Sequence, residues 1–257
     1  MTRRVRPVSH EDRLTLVEHL DELRNRLIVC IAAFGVALAL CFWQNSLLLE
    51  MASGPLPAAH EKLLTLGVTE PFTITLTVAA YGAIILSLPV VLYQVFAYVL
   101  PAFSEAERRT VVPMLILAPL LFLAGLAFSY FVVVPAAVGF LLGFNDSQFS
   151  VQVRAQDYYS FFSMTMLGTG ILFEFPLVII AVTRLGIVSV DQLTANRRYA
   201  YLSMAILAAL LPGVDPISML IEMVPLLILF ELSILLARVF GKPGVAGGLS
   251  RPSTQER

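Results

Sequence analysis

Three sets of carboxylates are placed to do chemistry. The first lies in Leu16-Val17-Glu18-His19-Leu20-Asp21-Glu22-Leu23-Arg24-Asn25-Arg26-Leu27, where Glu18, Asp21 and Glu22 are followed by Arg24 and Arg26. The second is Glu107 in Tyr98-Val99-Leu100-Pro101-Ala102-Phe103-Ser104-Glu105-Ala106-Glu107-Arg108-Arg109, and the third is Glu174, which stands with Pro176 inside an apolar run. An ionised carboxylate only accepts hydrogen bonds, and its two oxygens match the paired N–H donors of a guanidinium. Each set also has a plainer reading. Glu22 and Arg26 are spaced i, i+4 as a helix-stabilising pair, and Ser104 with Glu107 has the spacing of a capping box. Glu174, costing on the order of a few kcal/mol to insert into a bilayer, must face a protein interior, a wet cavity or a partner helix, or be protonated.

Other chemistries find no support in the sequence. His10, His19 and His60 are dispersed without paired spacing, so no metal site is expected, and no cofactor-binding motif is present. A glycine-rich phosphate loop, a serine nucleophile elbow and a pair of intramembrane aspartates are all missing, which argues against an enzyme. Cys30 and Cys41 share one apolar run and, if helical, lie about 16 Å apart along its axis, too far for a disulfide.

The elements that carry these acids are set by composition. Of 257 residues, 58% are apolar and only 14% charged, and the charges fall in short blocks between long uncharged stretches, the pattern of a polytopic membrane protein. Met1 to Arg26 carries eleven charges and no apolar core of a signal peptide, so the first hydrophobic segment is expected to remain in the mature chain. Six runs are candidates to cross the membrane: about Leu27 to Trp43, Phe72 to Val99 with Pro89, Val111 to Val134, Tyr159 to Thr183, Tyr199 to Leu211, and Ser218 to Ala237. A helix of about 13 residues covers only about 20 Å, so the fifth run is too short for an unperturbed bilayer and predicts local thinning or burial against neighbours.

The leucine stripe Leu16, Leu20, Leu23 and Leu27 predicts an amphipathic helix leading into the first span, in its plainer reading one that lies on the membrane surface. Fifteen of the seventeen Lys and Arg residues fall on one side of this topology, and only Lys62 and Arg154 on the other. The positive-inside rule then puts both termini in the cytoplasm. Two long extracytoplasmic loops follow, Gln44 to Pro71 and about Pro135 to Tyr158, each mixed enough in composition to be partly helical. Residues 1–238 are expected to form one membrane domain, and 239–257 a disordered cytoplasmic tail. On the last predicted helix, Glu222 and Glu231 are nine residues apart and point to opposite sides, so they cannot serve one site; Glu231 is expected to pair near the cytoplasmic end.

Six blocks in order, His19 to Leu27, Thr69-Glu70-Pro71-Phe72, Leu88-Pro89 to Tyr93-Gln94, Pro101 to Arg109, Phe128-Ser129-Tyr130-Phe131, and Phe173-Glu174-Phe175-Pro176, resemble TatC, the large subunit of the twin-arginine protein translocase. The similarity runs over about residues 15–238. It implies an all-α membrane protein of six transmembrane helices in a glove-shaped bundle, with the last two helices short and both termini cytoplasmic. It also implies residence in a bacterial-type cytoplasmic membrane and a receptor function for signal peptides bearing two adjacent arginines. Partners implied are TatA-type and TatB-type single-span subunits, with TatC self-association, exporting folded proteins at the expense of the proton-motive force.

Carried over to this chain, the resemblance assigns signal-peptide binding to Glu22, Glu107 and Tyr98, with Arg24 holding that surface together, and an intramembrane contact with a partner helix or the signal peptide to Glu174. Tyr98 stands where the family often has Phe, Met219 where it commonly has Gln, and Glu222 matches no family role. Two other readings compete: a small-solute secondary transporter, motivated by Glu174 and the proline-interrupted spans, and a purely structural membrane scaffold.

Overall fold

A computed structural model of the chain describes residues 10–57, 63–99, 105–145, 147–148, 151–184, 187–210 and 216–240, with backbone alone at 10–18, 105–112, 236 and 238–240. Every regular element among them is helical, and the sole extended pairing is a β-bridge between Leu64 and Arg154. Ten helices follow in order: α1 His10–Trp43, α2 Asn45–Ser53, α3 Glu70–Val99, α4 Glu105–Phe128, α5 Val134–Gly143, α6 Ala155–Leu172, α7 Phe175–Arg184, α8 Val190–Ala195, α9 Arg197–Ala209 and α10 Pro216–Phe240. The turn Pro212 to Asp215 and the tail from 241 onward lie outside the described residues.

Five helical stretches among the described residues are long and apolar enough to cross a membrane: His19–Trp43, Glu70–Val99, Pro113–Gly143, Ala155–Arg184 and Pro216–Leu235. Leu, Ile, Val and Phe side chains are widely exposed on these helices, as a hydrocarbon solvent permits and water does not. Helix α9 has 13 residues, about 20 Å by its rise, and so is as short as its sequence predicts.

Three expectations are corrected. The last helix is not short: the apolar run continues on both sides of Pro225, and α10 has 25 residues, of which Pro216–Leu235 are long and apolar enough to cross a membrane. The amphipathic N-terminal segment leads into the first span as expected: no Pro or Gly occurs between residues 10 and 34, so α1 runs unbroken from His10 into the first apolar run. Its stripe residues Leu20, Leu23 and Leu27 stay exposed. The third apolar stretch does not end at Val134. One π-helical turn, Ser129–Val133, passes directly into α5, which carries Pro135 in its first turn, and Val134 N donates across the junction to Ser129 O. The connection to α6 therefore begins after Gly143 rather than at Pro135.

The fourth stretch, finally, is not one continuous helix. Pro176 cannot donate to the Leu172 carbonyl four residues back, and α6 ends at Leu172. The chain turns through Phe173 and Glu174 and resumes as α7 at Phe175.

Packing proceeds between neighbours through small residues. Ala37 and Cys41 of α1 meet Ala79 and Ala83 of α3 in a core so close that a Cβ on Gly82 would lie 3.3 Å from the Cys41 sulfur. Both cysteines are free thiols. Met114 and Ala118 of α4 pack on Leu177 and Ile180 of α7. Ile179 of α7, Met204 and Ala208 of α9, and Leu226, Phe230 and Ile234 of α10 form another core.

At the end of the bundle that carries α2, the two long connections are stitched together. The Tyr158 hydroxyl donates to the Ala52 carbonyl at 2.6 Å, and Tyr130 donates to Met51 O at 3.1 Å. Leu64 N donates to Val153 O at 2.9 Å and Ala155 N to Leu64 O at 2.8 Å, flanking an ion pair between Arg154 and the buried Glu70.

Candidate functional site

The polar site at the opposite end of α1 and α3 is built one helical turn at a time. Glu22 and Arg26 face the same way because they are four residues apart, and the Arg26 guanidinium donates Nε and Nη2 to one carboxylate oxygen, Glu22 Oε1, at 3.0 and 2.5 Å. This is the internal pair that the spacing predicts. The third contact of Arg26 crosses to α3: Nη1 donates to Gln94 Oε1 at 3.0 Å. One turn earlier on α1, His19 stacks on Tyr98 of α3 with ring centroids 4.4 Å apart and planes 15° from parallel. His19 Nδ1 lies 4.0 Å from the second carboxylate oxygen, Glu22 Oε2.

Glu22 and Tyr98 thus share one surface. Arg24 is exposed beside it on α1. Glu107 falls in the first turn of α4, which begins at Glu105, directly after the Ser104 position where the capping-box spacing sets a helix start. The Glu107 side chain and Ser104 lie outside the described residues. Sequence reasoning did not select Gln94 or His19. Only the packing of α1 on α3 brings them to Glu22, and no periodicity within either helix carries that information.

Glu174 sits at the α6–α7 break and is 7% exposed, its carboxyl near the Phe122 backbone and neither oxygen in a well-formed hydrogen bond among the described residues. Its backbone is engaged: Glu174 N donates to Ile171 O at 3.0 Å and Leu177 N to Glu174 O at 3.0 Å. The neighbouring wall is tight. A Cβ on Gly125 would approach Phe173 Cγ to 2.8 Å, and one on Gly170 would approach Phe122 Cε2 to 2.5 Å, so α4 and α6 touch through glycine just ahead of the break.

Two further acids have local partners. Glu222 is buried and accepts from Thr169 Oγ1 at 3.2 Å, while Glu231 accepts from Tyr201 at 2.5 Å and pairs with Arg197 at 3.1 Å. The two occupy separate environments, as their nine-residue spacing predicts, and Glu231 takes the pairing role expected of it. Met219 packs against the α7–α9–α10 core. At the α2 end, the Glu70 carboxylate raises the Arg154 guanidinium still further above its usual pKa. This pair escaped sequence analysis although a signal existed, since Arg154 is one of only two cations assigned to that side. No cluster of three His, Cys, Asp or Glu side chains able to hold a metal occurs among the described residues.

Comparison with known proteins puts this arrangement in context. Residues 18–225 match the family model of TatC, the Sec-independent protein translocase protein. The chain is 36% identical over 235 residues to the Sec-independent protein translocase protein TatC of Desulforapulum autotrophicum, covering 90% of this chain and 87% of that one. With TatC of Escherichia coli K12 it shares 35% identity over 238 residues, covering 91% and 92% of the two chains.

The chloroplastic TATC protein of Arabidopsis thaliana is 34% identical over 218 residues, 84% of this chain and 64% of that one. A crystal structure of the twin-arginine translocase receptor TatC superposes with a TM-score of 0.74 at 32% identity, covering 86% of this chain and 98% of the other. The solute-transporter reading gains no support from these relatives. This chain, whose described regular elements are all helical and include five apolar helical stretches of membrane length, is matched along nearly its whole length in sequence and fold and belongs to the TatC family of Sec-independent protein translocase proteins.

Proposed function

We propose that this chain is the receptor subunit of a twin-arginine translocase, and that the surface around Glu22 and Tyr98 binds the paired arginines of a signal peptide. The observation that carries this reading is a carboxylate oxygen at that surface that takes no hydrogen bond from the described residues. Arg26 occupies Oε1 of Glu22, and Oε2 faces an aromatic stack at which a planar guanidinium has both a charge partner and a ring face. Glu107 supplies the second carboxylate from the start of α4, and exposed Arg24 keeps the acids of this surface from repelling one another.

On this reading the site end faces the cytoplasm, with both termini, and the α2 end faces outward, in keeping with the one-sided distribution of Lys and Arg. The topology has six crossings in a glove-shaped bundle of the bacterial-type cytoplasmic membrane, α9 making the fifth where the membrane is thinned. Residues 1–238 act as one membrane unit, and 239–257 as a tail. Glu174, buried and poorly satisfied among the described residues, takes a polar contact from a TatA-type or TatB-type single-span helix or from the signal peptide. The chain itself catalyses no reaction and holds no cofactor; the proton-motive force drives export of folded cargo through the assembly, which includes further TatC copies.

Site-specific photocrosslinking tests the assignment. Probes beside Glu22, Tyr98 and Glu107 are expected to capture an Arg-Arg signal peptide, and probes beside Glu174 a partner helix. Capture of the Arg-Arg segment at the α2 end instead, with none near Glu22, would overturn it.

A further inference from the structure

The three hydrogen bonds of Arg26 are unevenly spent. Two go to the same oxygen of Glu22, and the third leaves α1 for Gln94. Arg26 is the more buried partner, its side chain 23% exposed against 37% for Glu22. A guanidinium has a rigid planar array of donors, so anchoring Nη1 on α3 fixes the plane in which Nε and Nη2 meet the carboxylate. The carboxylate is held in turn by Oε1, and Oε2 is left directed toward the stacked rings of His19 and Tyr98, with His19 Nδ1 4.0 Å away.

An unbraced glutamate at this half-exposed position would rotate freely among rotamers. It would still attract any cation, but it would lose the orientation that a planar donor needs.

We propose that Arg26 and Gln94 are positioning residues that make Glu22 selective for arginine over lysine in the bound peptide. The inference rests on the receptor reading above and adds to it a cause of selectivity. Lysine brings a compact ammonium that pairs with Oε2 from many directions and does not need the carboxylate plane; arginine gains from a fixed plane and an adjacent ring face. Removing the brace therefore costs arginine binding more than lysine binding. Arg26 is not itself a competitor for the site, because it is tethered from two helices and bonds Oε1, leaving Oε2 as the acceptor for the incoming group.

The test compares the affinities of full-length chain in nanodiscs for two signal peptides that differ only in Arg-Arg or Lys-Lys, read by fluorescence anisotropy. Gln94→Leu is expected to lower the Arg-Arg to Lys-Lys affinity ratio about fivefold or more. Arg26→Lys, which keeps the charge and loses the fork, is expected to lower it similarly, whereas Gln94→Glu, which keeps an acceptor for Arg26, is expected to preserve it. An unchanged ratio in both Gln94→Leu and Arg26→Lys overturns the brace, as does tighter Arg-Arg binding in Gln94→Leu than in the unaltered chain, which would make Arg26 a competitor. Glu22→Gln separates the two levels of inference. If it binds Arg-Arg peptide as well as the unaltered chain does, the receptor site is misassigned; if it loses binding while Gln94→Leu retains full selectivity, only the brace fails.

Discussion

Glu174 and Glu22 are both acids near apolar surroundings, but their environments assign them different work. Glu22 is half-exposed and already shares a charge partner, so it can exchange water for a guanidinium at modest cost. Glu174 is buried with neither oxygen in a well-formed hydrogen bond among the described residues, an arrangement that a partner's donor would relieve. Glu174→Ala is therefore expected to leave Arg-Arg peptide affinity within about twofold while reducing crosslinking to a single-span partner helix. Undiminished partner crosslinking, with normal assembly, would contradict the role. The i, i+4 pairing of Glu22 with Arg26 was readable in sequence, because it depends on one helix alone. The Gln94 contact and the His19–Tyr98 stack were not, since each depends on the register between α1 and α3.

At the scale of elements, the α6–α7 break and the glycine contact beside it determine where Glu174 lies. A side chain at Gly125 would meet Phe173 and the Gly170 backbone at 3.0 Å or less, so the helices cannot keep their spacing. Gly125→Val is expected to cost about 1–3 kcal/mol and to expose position 174 to a water-soluble thiol reagent in a Glu174→Cys background; unaltered stability and continued protection would show that the close approach is dispensable. At the α2 end, Arg154→Ala leaves the buried Glu70 without its cation and is expected to lower Tm without altering Arg-Arg peptide affinity. An unchanged Tm would show that the other loop contacts suffice. Sequence located the apolar runs well, because hydropathy depends on composition. It misplaced two element boundaries where a local device intervened: the π turn that carries the third stretch into α5, and Pro176, visible in the sequence but read as an interruption rather than as the end of a helix.

For the molecule as a whole, five apolar helices of membrane length and the short α9 make the topology a question of which side each end occupies. The placement of Lys and Arg predicts that a fluorescent protein fused after Arg257 will fold in the cytoplasm and that an alkaline phosphatase at the same position will be inactive; an active phosphatase would reverse the orientation. With that orientation the proposed receptor face, drawn from the Glu22 surface and the start of α4, is cytoplasmic, and on this proposal the charge scarcity of the chain acquires meaning through the few acids placed there. The most direct measurement is the binding of an Arg-Arg signal peptide to the purified full-length chain in a bilayer, with Glu22→Lys and Glu107→Lys examined separately. Each reversal is predicted to weaken binding by at least about tenfold, the loss of one charged hydrogen-bonded contact, whereas binding by both at the affinity of the unaltered chain would contradict the account.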